Sequence, residues 1–248
     1  MVRLELVAEV LAATGVTAGG FDVAYLGALH AASADAVAVK SIIAYRHGLD
    51  FDPTRPSSRE VLAAAGSWLA AGGRVTHPDL LRFMLWAGVD TGLPVQLHTG
   101  FGDRDLTLRR ADPALLQPFL NAVEPTGVPI VLLHCYPYHR QAAWLAQVYP
   151  HVYVDVGLTL SHLGANATAA LAEFCELAPF GKLLFSTDAY LLPELYLVGA
   201  AQFRLALGSL LDAWVGEGAL SAADGRRVAR MIATDNARRL YGLDREAQ

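Results

Sequence analysis

The sequence predicts an α/β protein in which repeated βα units build a parallel sheet, and three observations carry that prediction. Short apolar runs rich in Val, Ile and Leu alternate along the chain with longer Ala/Leu-rich stretches of helical period. The short runs are almost continuously apolar rather than alternating, as strands buried on both faces are. Finally, 248 residues with 54% hydrophobic and 17% charged content are enough to bury a large core.

In chain order, MVRLELVAEVLAATG and FDVAYLGALHAAS read as helices, because their apolar residues recur at three and four rather than at two. The expected strands are Val37 to Ala44, Pro94 to His98, Pro129 to His134, Val152 to Val156 and Leu183 to Thr187. Helices are expected over Ser57 to Ala71, His77 to Thr91, Pro113 to Glu124, Arg140 to Val148 and Ala165 to Leu177, with two closing helices over Glu194 to Val215 and Ser221 to Leu240. Pro78, Pro113 and Pro193 fall at helix starts, where a missing N–H costs nothing. No Gly/Ser linker or charge block divides residues 1–248, so a single domain is expected. The length suits a (β/α)₈ barrel of about 250 residues. Only five strands are counted, because a double helix before residue 94 and two long helices after residue 193 take up the remaining chain.

Composition excludes several function classes. With 19 basic and 24 acidic residues, a net charge of -5 and no Lys/Arg run longer than a pair, the chain lacks the footprint of a nucleic-acid binder. The most apolar stretch, Val61 to Gly73, is stopped by Arg74 before it could span a bilayer, so no membrane partner is expected. Glu5 and Glu9 interrupt what would be the apolar segment of a secretory leader, which points to a cytoplasmic protein. Cys135 and Cys175 are the two cysteines, too few for a disulfide framework or a thiolate zinc site. Any metal must therefore be held by His and carboxylates.

Three expected strands end on a polar residue followed by a turn-prone segment: His98 in LHTGFGD, His134 in LLHCYPYHR and Asp188 in FSTDAY. In a barrel these ends form the catalytic face. Imidazole and carboxylate are ligands for a borderline divalent metal, and an aspartate can also take a proton from water. A single strand-end His is commonly a hydrogen-bonded structural residue, but its repetition in one register favours function. Around these lie candidate substrate contacts. Tyr45 and Arg46 follow the first strand, and Arg46 could either clamp a substrate carboxylate or form an ion pair. Asp103 and Arg104 lie in the loop after His98, made permissive by Gly100 and Gly102, and Tyr190 follows Asp188. Tyr136, Tyr138 and His139 could line a pocket or pack, Asp155 could orient a ligand, and His77 reads as a helix-start residue.

The segments KSIIAYRHGLD, LHTGFGD, PIVLLHCYPYHR, VYVDVGLTL, LLFSTDAY and IATDNARRLYGL resemble the amidohydrolase superfamily, in particular its amidohydrolase-related branch, also found fused ahead of glutamine-synthetase-like domains. That resemblance implies a (β/α)₈ barrel in which His98 and His134 serve the metal centre and Asp188 activates water. Lys40 corresponds to a lysine that is carboxylated and bridges two metals in some members; here it could equally pair with a carboxylate. The superfamily's first strand ends in His-x-His, and no such pair exists, since His30, His47, His77, His139, His151 and His162 are isolated. The resemblance thus implies a barrel incomplete at its N-terminus, with about five of eight strands, roughly strands 4 to 8. The strand in VAVKSIIA would then be an open edge prone to self-association, making a homo-oligomer expected. The implied function is hydrolysis of an amide or related C–N bond of a small carboxylate-bearing substrate by a metal-activated water, with zinc as the first choice of divalent ion and manganese or iron as others. Decarboxylation on the same site, or an inactive remnant lacking the His-x-His ligands, are the alternatives.

Overall fold

The structure, a computed structural model, describes residues 1–244. Its chain divides into two compact units, one of Met1–His98 with Gly102–Ile130 and the other of Thr99–Phe101 with Val131 onward. The strand pairings within each unit are parallel, confirming the α/β class.

The first unit opens with β1 (Val2–Arg3), α1 (Leu4–Ala12), α2 (Phe21–Ser33), β2 (Val39–Ser41), α3 (Ile43–Arg46), α4 (Ser58–Ala71) and α5 (Pro78–Asp90). It continues into β3 (Val95–Thr99) and α6 (Gln117–Val123). β1 is a sixth strand that the sequence concealed: two residues cannot display a period of two, and Leu4 begins α1 at once. Val2 pairs with Val39 and Arg3 with Lys40, while the other side of β2 pairs with β3 from Val39↔Val95 to Ser41↔Leu97. The segment VAVKSIIA is therefore covered on both sides, which overturns its reading as an open edge. β2 is also shorter than expected, because Ile42 leaves the extended region (φ -111, ψ 32) to start α3.

Helix starts follow their local signals. Ser57 and Glu60 form a reciprocal capping box on α4. His77 Nδ1 accepts from the Asp79 N–H at 3.3 Å ahead of Pro78, the helix-start role its position suggested. The core of this unit centres on Phe21, stacked on Tyr25 at 5.9 Å and meeting Trp68 edge-on at 5.8 Å, with Leu4, Leu29, Leu80, Leu81 and Met84 buried around it. Each such side chain contributes roughly 1.5–3 kcal/mol of burial.

The second unit holds β4 (Ile130–His134, its first residue counted with the other unit), α7 (His139–Val148), β5 (Val152–Asp155), α8 (Thr159–Leu163) and α9 (Ala167–Phe174). β6 (Leu183–Leu184), α10 (Pro193–Gly216), α11 (Ala222–Arg230) and α12 (Asn236–Tyr241) complete it. β5 and β6 pair from Val154↔Leu183 to Asp155↔Leu184. Val131, Leu133 and Leu184 form a buried cluster covered by Tyr153, Ala237 and Leu240. Asn236, fully buried, donates from Nδ2 to the carbonyls of Phe180 (2.7 Å) and Leu183 (2.8 Å), so the start of α12 is fastened to the start of β6. β6 stops after two residues, although its apolar run continued to Thr187 in the sequence. The residues beyond it are instead held by side chains, as described below.

Candidate functional site

The candidate side chains stand at the ends of strands in both units. In the first unit, Lys40 lies within β2 and His98 near the end of β3, where His98 is buried and its ring lies 4.6 Å from that of Tyr45. The Tyr45 hydroxyl accepts the backbone N–H of Asp103 at 3.0 Å, so Tyr45 fixes the loop that follows β3. A Cβ on Gly102 would lie 2.0 Å from that hydroxyl and 3.0 Å from His98 Nε2, so only glycine permits this close approach. Further along, Arg110 binds Asp50 (2.7 and 2.8 Å) and His47 Nε2 (3.3 Å), and its carbonyl accepts from Leu49 N–H at 2.8 Å. Burial, with the Arg110 guanidinium beside it, pushes the His47 imidazole down.

Arg46, expected either to clamp a substrate or to form an ion pair, is buried and donates to Glu9 at 3.0 Å. Glu9 also accepts the Val75 N–H at 3.2 Å. Glu5, one turn earlier on α1, accepts from Ser41 Oγ at 2.5 Å and from Ile42 N–H at 3.0 Å, which secures the end of β2. Its second oxygen, Oε2, is buried without a hydrogen-bond partner, and burial pushes this carboxyl up against the opposing pull of those hydrogen bonds and of Arg46. Sequence reasoning used Glu5 and Glu9 solely as a break in an apolar leader. Their i,i+4 spacing on an otherwise apolar helix was the available sign of a buried polar role.

In the second unit, His134 closes β4 and Asp188 follows β6, with His134 Nε2 3.7 Å from Asp188 Oδ2. Both have left-handed backbones, His134 at φ 68 and Asp188 at φ 47, as does Cys135 at φ 66. Non-glycine residues adopt this region where surrounding bonds enforce it, commonly at functional sites. Those bonds are explicit at β4: the His134 carbonyl accepts from Thr159 Oγ1 (2.6 Å) and from Tyr136 N–H (2.8 Å), while Thr99 Oγ1 holds the Leu133 carbonyl at 2.8 Å. Asp155 Oδ1 accepts from Gly157 N–H (2.6 Å) and Ser186 Oγ (3.1 Å), tying the segment that carries Asp188 to the end of β5. A Cβ on Gly157 would meet the Ser186 carbonyl at 2.2 Å, so the two stretches are in direct backbone contact.

Other candidates are placed without joining this pair. Tyr136 stacks on His139 at 5.3 Å, and His139 is bound to Glu173 at 2.5 Å, an arrangement that anchors α7 to α9. Tyr190 is 75% exposed two residues beyond Asp188, and Arg104 lies exposed in the loop after β3. Cys135 is buried and Cys175 partly so, and desolvation pushes both thiols up to about 12, so neither offers a thiolate.

The donor chemistry of His134 and Asp188 suits a borderline divalent ion. Their 3.7 Å separation is too long for a hydrogen bond. It lies near the ~3.4 Å expected between two ligands of one tetrahedral ion with bonds of about 2.0–2.2 Å. Among the described residues, no group of three His, Cys, Asp or Glu gathers as a metal-ligand set. The pair fits an ion as two of its donors.

The parallel α/β frame matches proteins of known structure. A glucuronate isomerase from Caulobacter crescentus (TM-score 0.69, 17% identity) aligns over 92% of this chain and 52% of its own, and shows a shared fold. A uronate isomerase from Thermotoga maritima (TM-score 0.61, 16% identity) aligns over 90% of this chain and 53% of its own. The chain belongs to the amidohydrolase family, whose profile matches residues 4–243. A protein from Lactobacillus casei ATCC 334, assigned as a metal-dependent hydrolase, superposes with TM-score 0.90 at 32% identity, over 100% of this chain and 66% of that one. Protein fluG of Emericella nidulans is 34% identical over 226 residues, 85% of this chain. The chain spans 26% of the length of fluG.

Proposed function

We propose that this protein is a metal-dependent hydrolase of an amide or related C–N bond in a small substrate bearing a carboxylate. The observation that carries the reading is the pair His134 and Asp188, 3.7 Å apart on left-handed backbones. Family membership and the resemblance to the Lactobacillus casei protein support the hydrolase class and the divalent ion. His134 Nε2 and Asp188 Oδ2 would hold the ion, which when bound supplies Lewis acidity and lowers the pKa of water; zinc is the ion this donor set suits first.

The chain's own residues do the rest. His134 is almost wholly buried, and Thr159 Oγ1 bound to its carbonyl holds its backbone at the end of β4. Asp188 is 40% exposed, which lets its carboxylate reach both water and substrate and accept the proton of the attacking water. Asp155 acts through Ser186 to keep that carboxylate in place. Arg46 is committed to Glu9, which removes it as the clamp for a substrate carboxylate.

Elemental analysis of the purified protein tests the proposal without requiring a substrate. About one zinc or manganese per chain is expected, with loss in His134→Ala and Asp188→Ala. The two further donors assigned by sequence resemblance enter as His98→Ala and Lys40→Met. Metal-free wild type, or a metal content unchanged in His134→Ala and Asp188→Ala, would overturn the reading. A screen of N-acyl and glutamyl amides then follows released amine against released CO₂, and CO₂ as the product would replace hydrolysis by decarboxylation.

A further inference from the structure

The backbone at the end of β4 is folded more tightly than a strand end requires. His134 and Cys135 are consecutive residues with left-handed backbones, φ 68 and φ 66. The Cys135 N–H donates to the Leu133 carbonyl at 2.8 Å, and the Tyr136 N–H donates to the His134 carbonyl at 2.8 Å. Each bond reaches back two residues, so the chain passes through two successive three-residue turns with positive φ at the centre, a rare and strained class. Strain of this kind persists where the surrounding structure over-determines the backbone.

Two threonines supply that structure. The Leu133 carbonyl also accepts from Thr99 Oγ1 at 2.8 Å, and the His134 carbonyl from Thr159 Oγ1 at 2.6 Å. Each carbonyl that closes a turn thus fills its two lone pairs with one N–H and one threonine hydroxyl. Both threonines are fully buried, Thr99 as the last residue of β3 and Thr159 as the first of α8. Thr159 is itself delivered by a third such turn, in which Leu158 has φ 54 and ψ -51 and the Thr159 N–H donates to the Gly157 carbonyl. Asp155 Oδ1 fixes the start of that turn through the Gly157 N–H at 2.6 Å.

We propose that Thr99 and Thr159 are positioning residues, a two-sided brace on the strained turns that sets where the His134 imidazole stands relative to Asp188. The inference rests on the reading of His134 and Asp188 as two donors of one ion. Both threonines act on backbone carbonyls, so they place the ring without contributing a donor. Without either hydroxyl a buried carbonyl loses a partner, and its turn is free to relax towards the extended backbone of β4. His134 Nε2 then leaves its place 3.7 Å from Asp188 Oδ2. Valine keeps the shape of threonine and drops the donor; serine keeps the donor.

Zinc dissociation constants, measured by competition with a chromophoric chelator, and the visible spectrum of the cobalt-saturated protein test the assignment on the full chain. Thr99→Val and Thr159→Val should each bind zinc about tenfold more weakly, the loss typical of residues that orient a metal ligand. Thr99→Ser and Thr159→Ser should bind as the wild type does. The cobalt d–d bands should change in the valine variants and return in the serine variants, a response that lower stability alone does not produce at saturation. The two positions are independent tests, so one variant that fails to fold leaves the other decisive. Wild-type affinity and bands in either folded valine variant would overturn the proposal, as would serine variants no better than valine. A wild type that binds neither ion refutes the metal reading instead, and crystal structures of the valine variants then decide the brace. A displaced His134 ring supports it, and a ring still 3.7 Å from Asp188 overturns it.

Discussion

Replacing Gly102 by alanine should destabilise the first unit by an amount set almost wholly by Tyr45. The added Cβ would lie 2.0 Å from the Tyr45 hydroxyl and 2.8 Å from its Cζ, closer than any real contact, so the ring or the loop must move. Overpacking of this kind costs about 1–3 kcal/mol. Displacing the ring also breaks the 3.0 Å bond from the Asp103 N–H, worth about 1 kcal/mol. Gly102→Ala should therefore cost about 2–4 kcal/mol, and Tyr45→Phe, which removes only the hydrogen bond, about 1 kcal/mol. In the double variant the lost bond is counted once and the worst contact is gone. The total should then fall short of the sum of the singles by at least about 1 kcal/mol. Urea unfolding at 25 °C with a constant m-value measures all three. Two results would refute the reasoning: a Gly102→Ala variant within about 0.5 kcal/mol of wild type, or a double variant additive within the same margin.

Two further predictions concern the carboxylates. Asp155→Asn keeps the volume but weakens two hydrogen bonds to a charged acceptor, so it should cost about 1.5–3 kcal/mol in urea unfolding and lower metal occupancy while leaving both donors in place; unchanged occupancy would separate Asp155 from the Asp188 segment. Glu5 has a carboxyl raised in the folded state, so stability falls as pH rises from the ordinary glutamate range through the folded value, and the penalty is absent below that range. Glu5→Gln can still accept from Ser41 and Ile42. Its stability relative to wild type should therefore be greater at pH 8 than at pH 4.5, and a difference independent of pH would show that Glu5 titrates normally.

Much of the fold could be read from periodicity, because continuous apolar runs and three-and-four spacing reflect burial directly. The double helix of α4 and α5 and the order of β3, β4 and β5 follow from it. β1 escaped, since two residues leave no pattern, and its discovery depends on pairing with Val39 and Lys40 far along the chain. β6 was overextended for a related reason. Phe185 to Thr187 look like strand, yet Ser186 is held by the side chain of Asp155 rather than by a ladder. At the site, strand-end positions pointed to His134 and Asp188, which the fold brings face to face. Sequence could not reveal that Arg46 belongs to Glu9 or that Tyr45 anchors Asp103, because such partnerships join residues that are distant in the chain and polar in unremarkable ways.

The loop after β3 is held by Tyr45 at Asp103 and by Asp50, His47 and Leu49 at Arg110. Between those points Arg104, Asp105 and Thr107 are exposed, Asp105 in a solvent-exposed ion pair with Arg74 at 3.5 Å that contributes little. Such a loop behaves like a rope bridge with both ends moored, in which the span can be rewritten or lengthened while the moorings stay still. Lengthening a tethered loop is cheap, roughly 0.6 kcal/mol for each doubling. Insertions and substitutions should therefore be tolerated between residues 104 and 107, with Gly102 and Arg110 left untouched.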